Sequence, residues 1–197
     1  MSRCSSSSRA RRSFFCIGKK PSNTNRSVFW PDTASAVAAV PAREKDFAYI
    51  SSGTWSLLGA EIEKPLCEEG VTNANYTNEG GVCGKTRLLS NIMGLWIIQE
   101  CRRDWIKNGI NISWDGVVQE AQKAEPLRSI INPDAPQFYA GGNMVQKIMD
   151  FCRETGQPVP ETVGQIARCV YESLALKYRN ALEGLEAMKG QRIDSLN

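Results

Sequence analysis

Residues 51–59 read Ser-Ser-Gly-Thr-Trp-Ser-Leu-Leu-Gly, and they give the clearest structural signal in the chain. Ser52-Gly53 separates two runs rich in apolar residues, 47–51 (Phe-Ala-Tyr-Ile-Ser) and 54–58 (Thr-Trp-Ser-Leu-Leu). Such a short break containing glycine is typical of the connection between two antiparallel strands. The stretch therefore predicts a β-hairpin whose tip presents hydroxyl groups and backbone N–H groups.

Two further polar segments follow the hairpin. Residues 77–81 (Thr-Asn-Glu-Gly-Gly) lie in a stretch, 60–85, that is rich in glycine and predicted to be mostly loop. Asn91 starts a segment with the apolar spacing of a helix, which runs to the stop signal Asn108-Gly109. Hydroxyls, amides and bare backbone N–H groups suit a cleft that binds phosphate or sugar. We therefore predict a polar cleft on an α/β domain.

The second half of the chain is predicted to be helical. Ser113 caps a helix that ends before Pro126, and Asn143 opens another that Gly156 closes. Thr162 and Gln165 form a capping box for a final helix that reaches Gly190 and is about 40 Å long. Residues 192–196 then have the pattern of an approach to another strand.

Composition excludes several kinds of chemistry. The 197 residues contain no histidine, which rules out a Ser–His or Cys–His nucleophile pair and histidine-ligated zinc. The seven cysteines form no Cys-x-x-Cys pair, and their odd number indicates reduced thiols in a cytoplasmic protein. No run approaches about 18 apolar residues, so we expect no membrane partner. Trp55, Trp96 and Trp105 are expected to lie in the core.

The net charge of +3 is unevenly distributed. Residues 1–31 carry +7 and no acid, and the remainder carries −4. We predict that residues 1–30 form an unstructured Ser- and Arg-rich head. Three interpretations of this head compete, namely a transit-like segment, a basic arm for nucleic acid and no role at all, and we favour the last. Because few aromatic residues interleave with the charge, we expect no nucleic-acid partner.

Asp32 is the candidate general base. It precedes an Ala-rich segment that Pro41 ends, so its carboxylate is predicted to lie at a helix N-terminus and to stay ionised. An ionised carboxylate there could accept a proton from an alcohol during phosphoryl transfer. The alternative is that Asp32 is only an N-cap.

Three other positions could likewise have either a binding role or a purely structural one. Thr54 would present its hydroxyl and N–H to a phosphate, or would simply belong to a hairpin connection. Asn91 and Gln99 lie two turns apart on one predicted helix, so both would face one cleft, or they would only cap helix ends.

Six segments in order resemble the rhamnulokinases, a family within the FGGY group of sugar kinases. The resemblance covers about residues 32–197. The matching segments are DTASAV (32–37), SSGTWSLLG (51–59), TNEGG (77–81), NIMGLWIIQECRR (91–103), CRETGQPVPET (152–162) and ARCVYESLALKYR (167–179).

This resemblance implies the ribonuclease H-like fold of actin and hexokinase, with residues 31–197 forming part of the C-terminal domain. The implied reaction is ATP-dependent phosphorylation of L-rhamnulose to L-rhamnulose 1-phosphate, with Mg²⁺ on the ATP phosphates. Asp32 would be the base, Thr33 and Asn91 would join it in holding the sugar, and Thr54 and Gln99 would line the ATP site. No metal-ligating side chain is predicted.

The chain also departs from the family pattern. Trp30-Pro31 precedes Asp32, where the family has Gly-His. We expect the N-terminal kinase domain needed for activity to be missing, along with a Gly-rich adenine-binding loop beyond the long helix. The predicted function is therefore that of a rhamnulokinase fragment. The alternative is a non-catalytic fragment with at most weak nucleotide or partner binding.

Overall fold

The computed structural model describes residues 36–37, 39–40, 46–66, 71, 75–81 and 84–197. The predicted head, Asp32 and Thr33 lie outside these ranges. Ala36 and Val37 are helical, in agreement with the helix predicted after Asp32.

The described residues form five strands, which are β1 (Phe47–Ser52), β2 (Trp55–Ile62), β3 (Tyr76–Gly80), β4 (Thr86–Met93) and β5 (Ser195–Leu196). They make one sheet in the order β3-β4-β2-β1-β5. The neighbouring pairs β1/β2, β2/β4 and β3/β4 are antiparallel, and β5 pairs in parallel with β1. The predicted hairpin is confirmed, as is the strand expected near residue 196.

The long helices are α1 (Trp96–Lys107), α2 (Trp114–Lys123), α3 (Met144–Glu154) and α4 (Val163–Lys189), and a 3-10 turn covers Pro136–Phe138. The side-chain caps predicted at Ser113 and Thr162 are confirmed, whereas Asn143 at the start of α3 makes no side-chain cap bond. The Ser113 side chain accepts a hydrogen bond from the Gly116 N–H, and Thr162 and Gln165 form the complete capping box of α4. Gly190 ends α4 in the left-handed conformation, at φ 63°.

Two predictions about β3 and β4 were wrong. Residues 86–93 are a strand rather than the start of a helix, and residues 76–80 are an edge strand rather than a loop. Leu88 and Ile92 are four residues apart, a spacing that puts them on one face of a strand as well as one face of a helix. Pairing with β4 overrides the weak strand propensity of the polar residues in β3.

Helix α4 joins two hydrophobic cores. Its first half packs with α1, α2 and α3 around Phe138 and Ile148, which are fully buried. Its second half covers one face of the sheet, where Leu185 packs with Leu58 and Leu88. Ser56 on β2 bonds to Tyr178 on α4 between the two cores, at 2.6 Å. We call α1, α2, α3 and the first half of α4 the helical half, and the sheet with the second half of α4 the sheet half. The hairpin tip lies at the boundary between these two halves.

Candidate functional site

The tip of the β1–β2 hairpin is bonded to the junction between β4 and α1. The carbonyl of Gly53 accepts the Leu95 N–H at 2.8 Å. The carbonyl of Thr54 accepts the N–H groups of Gly94 and Trp96, at 3.1 and 3.2 Å. Three backbone hydrogen bonds therefore fix the Ser-Gly-Thr turn against the start of a helix. A turn held in this way presents its side chains in a defined position.

Gly94 is required for this close approach. A Cβ atom at residue 94 would lie 2.6 Å from the Gly53 carbonyl oxygen and 2.6 Å from the Ser56 hydroxyl oxygen. Both neighbours are rigid, because one is backbone and the other is bonded to Tyr178. A side chain at this position would consequently force the turn away from α1.

Thr54 and Gln99 meet at this junction. The Thr54 hydroxyl lies 3.4 Å from the side-chain oxygen of Gln99, with Thr54 exposed and Gln99 half-buried. A hydrogen bond of this length is weak, so a ligand would displace it at little cost. Gln99 is in the first turn of α1, where the helix dipole favours negative charge. The pair is suited to contact a polar, anionic ligand.

Asn91 does not lie on the same helix as Gln99, contrary to the prediction. It is an exposed residue of β4, and Leu57 on β2 is its cross-strand partner. Its backbone oxygen accepts a hydrogen bond from the Asn75 side chain at 3.3 Å. The structure therefore brings Thr54 and Gln99 together and places Asn91 on the neighbouring strand. Asp32 and Thr33 lie outside the described residues, so their roles remain predictions.

Comparison with known proteins identifies the domain that carries this arrangement. Residues 48–197 match the model of the C-terminal domain of the FGGY family of carbohydrate kinases. The chain belongs to this family. The predicted family is thereby confirmed, and the match includes the hairpin, β4 and all four helices.

Several curated relatives are rhamnulokinases. The chain is 50% identical over 166 residues to the rhamnulokinase of Bacteroides thetaiotaomicron, and this match covers 84% of the chain and 33% of the relative. It is 45% identical over 168 residues to the rhamnulokinase of Ligilactobacillus salivarius, covering 84% and 34%. The chain spans about a third of the length of the curated relatives it matches.

A solved structure shows the same fold. The xylulose kinase of Bifidobacterium adolescentis superposes with a TM-score of 0.50 at 18% sequence identity. The match covers 77% of this chain and 28% of the xylulose kinase. This likeness confirms the predicted α/β fold of the actin-like kinases.

Two buried carboxylates on α1, the helix that carries Gln99, bond the segment that begins α3, and the sequence analysis missed them. Glu100 accepts the Gly142 N–H at 2.9 Å and pairs with Arg103, and Asp104 accepts the Val145 N–H at 3.2 Å. Together they bond the start of α3, whose N-cap residue Asn143 makes no side-chain bond. The available signal was two acids four residues apart, and so on one face, in a helix whose other charged residues are all basic (Arg102, Arg103 and Lys107).

A third missed carboxylate, Asp134, anchors the end of β4. One of its oxygens accepts the Met93 N–H at 2.9 Å, and the other lies 2.8 Å from the Lys177 ammonium group on α4. Met93 directly precedes Gly94, so this contact holds the residue at which the hairpin tip is bonded. Nothing in the sequence around Asp134 indicated this partner, because it lies 41 residues away along the chain.

The thiols of the helical core are unsuited to nucleophilic chemistry. Cys101, Cys152 and Cys169 are free and buried. Burial raises the pKa of all three thiols, to about 12 for Cys169. They are therefore protonated at neutral pH and pack as small apolar side chains.

The described residues lack both a metal-binding cluster and a membrane-spanning helix. They include no group of three or more acidic or cysteine side chains placed to hold a metal ion. None of their helices has the length and apolar character to cross a membrane.

Proposed function

We propose that the chain carries the C-terminal kinase domain of a rhamnulokinase, which transfers the γ-phosphoryl group of ATP to the 1-hydroxyl of L-rhamnulose. The observation that carries this proposal is the 50% identity to a rhamnulokinase across most of the chain. The FGGY family match and the Thr54–Gln99 pair at a helix N-terminus support a phosphate-binding role.

The proposed roles follow the chemistry of each group. Thr54 and Gln99 would bind ATP, with the Thr54 hydroxyl donating to a phosphate oxygen. Asn91 and Thr33 would orient the sugar through hydrogen bonds to its hydroxyls. Asp32 would bind the same sugar and accept the proton of the 1-hydroxyl as the phosphoryl group is transferred.

ATP is the proposed phosphoryl donor, and Mg²⁺ its usual companion. When bound, Mg²⁺ would neutralise charge on the phosphate oxygens. We expect the ATP phosphates and water to supply most of the ligands of this ion.

We further propose that the reaction needs residues beyond this chain and takes place in the cytoplasm. The matched stretch covers only 33–34% of the rhamnulokinase relatives, so a second kinase domain is the expected partner for turnover. The buried, reduced state of Cys101, Cys152 and Cys169 is consistent with a reducing compartment.

A chimera provides the test. The 166-residue matching stretch of the B. thetaiotaomicron rhamnulokinase would be replaced by its counterpart from this chain. The chimera would then be expressed in a strain without rhamnulokinase. We expect growth on L-rhamnose and formation of L-rhamnulose 1-phosphate in the purified protein. A folded chimera that phosphorylates no ketose would refute the proposal.

Two variants of the chimera test the assigned residues. Thr54→Ala and Gln99→Ala remove the pair at the hairpin tip, and we expect KM for ATP to rise by about tenfold for each. Gln119→Ala serves as the control, because it removes the side-chain amide of an exposed glutamine on a different helix, α2. A KM for ATP that changes equally in all three variants would contradict the assignment.

A further inference from the structure

Trp55 and Tyr139 form an exposed aromatic pair beside the candidate site. Trp55 is 52% exposed and Tyr139 is 51% exposed, although both are large aromatic residues. Their ring centroids are 6.4 Å apart and their planes are inclined by 33°. The prediction that Trp55 lies in the core was therefore wrong, whereas Trp105 is buried as predicted.

The direction of Trp55 follows from the strand. Ser56, the next residue, faces α4 and bonds to Tyr178. Successive residues of a strand point to opposite faces, so Trp55 points to the face that α4 does not cover. Trp55 is the first residue of β2 and directly follows Thr54 of the hairpin tip.

Trp55 and Asn91 share that face and are close together. The cross-strand partner of Trp55 is Met93, so Asn91 is its diagonal neighbour on β4. Diagonal neighbours in an antiparallel pair have Cα atoms about 7–8 Å apart, within reach of an aromatic side chain. An exposed amide and an exposed indole are thus presented side by side.

Tyr139 is held in place by its own hydrogen bond. Its hydroxyl donates to the backbone oxygen of Asp134 at 3.0 Å, and Asp134 is bonded in turn to Met93 and Lys177. The aromatic pair is therefore connected to the end of β4 and to α4. A ring fixed in this way loses little conformational freedom when a ligand binds.

We propose that Trp55, supported by Tyr139, is a substrate-contacting residue that packs against the carbon skeleton of the ketose bound by Asn91. A sugar presents C–H groups as well as hydroxyls, and binding sites combine an aromatic wall with a few placed polar groups. The amide of Asn91 would bind hydroxyls, and the indole would cover apolar C–H groups. This inference rests on the proposed function and adds a sugar-selecting residue to it.

The test measures sugar and nucleotide binding separately in the full chain. L-rhamnulose and ATP are titrated by calorimetry into the unaltered chain and into Trp55→Ala, Trp55→Phe, Tyr139→Ala and Trp114→Ala. Trp114 is the matched control, because it is 44% exposed but lies on α2 and is covered by Arg102. Circular dichroism melts verify that each variant is folded.

We expect Trp55→Ala to weaken L-rhamnulose binding about tenfold and to leave ATP binding unchanged. Tyr139→Ala should have a smaller effect of the same kind, Trp55→Phe should recover part of the loss, and Trp114→Ala should change neither ligand. Equal sugar affinity in Trp55→Ala and in the unaltered chain would overturn the inference while leaving the proposed function intact.

The remaining outcomes are equally decisive. A Trp55→Ala variant that loses ATP and sugar binding together would overturn the sugar assignment. If the unaltered chain binds neither ligand while the active chimera carrying Trp55→Ala keeps its KM for L-rhamnulose, the inference is also wrong. A chimera without activity would instead mark failure of the proposed function, and this inference would fall with it.

Discussion

The helical half and the sheet half of this domain differ in how fully their polar side chains are hydrogen-bonded. In the helical half, Glu100 and Asp104 each accept a backbone hydrogen bond, and Arg168 bonds to carbonyls at the end of α2. In the sheet half, three buried side-chain atoms have no partner among the described residues, namely the Tyr49 hydroxyl, Glu61 Oε1 and Arg87 Nη1.

The unpaired atoms of the sheet half lie together. Glu61 and Arg87 are cross-strand partners on β2 and β4, and Tyr49 lies on the same face, over Gly59. Arg87 keeps one ion pair, with Glu79 at 2.8 Å. A buried polar atom without a partner costs about 1–3 kcal/mol. The comparison therefore indicates that the helical half is the more self-sufficient unit, and that the candidate site lies where the two halves meet.

The largest expected effect comes from breaking that boundary. Gly94→Ala would place a Cβ atom 2.6 Å from rigid neighbours on the hairpin, so we expect a loss of about 2–4 kcal/mol in the free energy of unfolding. Urea denaturation measures the loss. Gly80→Ala is the control, because no atom lies within 4 Å of an added Cβ there. Equal stability of the two variants would show that the boundary is not under steric constraint.

A smaller effect is expected inside the helical half. Glu100→Ala removes the acceptor of the Gly142 N–H and the partner of Arg103, so we expect a loss of about 1–2 kcal/mol. Glu100→Gln keeps an oxygen acceptor and should lose less. The surface pair of Asp150 and Arg153 provides the control, since Asp150→Ala should cost about 0.5 kcal/mol or less.

If Glu100→Ala is as mild as Asp150→Ala, the buried carboxylates of the helical half contribute no more than surface charges. The comparison between the halves would then lose its energetic basis. Hydrogen exchange gives an independent measure, because we expect the amides of α3 to lose protection in Glu100→Ala before those of β4 do.

Local signals predicted the helical half better than the sheet half. The capping box at Thr162, the cap at Ser113 and the left-handed Gly190 depend on neighbouring residues, and the structure confirms all three. Strand β4 was predicted to be helical, because its spacing fits both structures and only the pairing with β2 and β3 decides between them.

The candidate site was predictable only in part, for the same reason. Thr54 and Gln99 were named from short motifs, and the structure brings them within 3.4 Å. Asn91 was assigned to the wrong element, and Asp134 was not found at all. The partners of Asp134 are 41 and 43 positions away along the chain, and no local pattern encodes such contacts. Asp32 and Thr33 remain predictions.

The smallest expected change in stability comes from two tyrosines of the sheet half, for which we expect effects of opposite direction. The Tyr76 hydroxyl donates to the Ala181 backbone oxygen, whereas the Tyr49 hydroxyl is buried without a partner among the described residues. Removing a bonded hydroxyl should cost about 1 kcal/mol, and removing an unpaired one should cost nothing or stabilise the fold. We therefore expect Tyr76→Phe to lower the melting temperature and Tyr49→Phe to keep or raise it.

The pH dependence of the same two variants sharpens this contrast. Burial raises the pKa of both tyrosines from about 10 to about 12. Above pH 10 the unfolded chain releases these protons before the folded chain does, so stability is complete below pH 10 and falls as pH rises toward 12. Each Phe variant should remove part of that fall in melts recorded between pH 8 and about 11. If the fall of stability with pH is the same in Tyr49→Phe as in the unaltered chain, water must reach the Tyr49 hydroxyl. The polar groups of the sheet half would then be as fully hydrogen-bonded as those of the helical half.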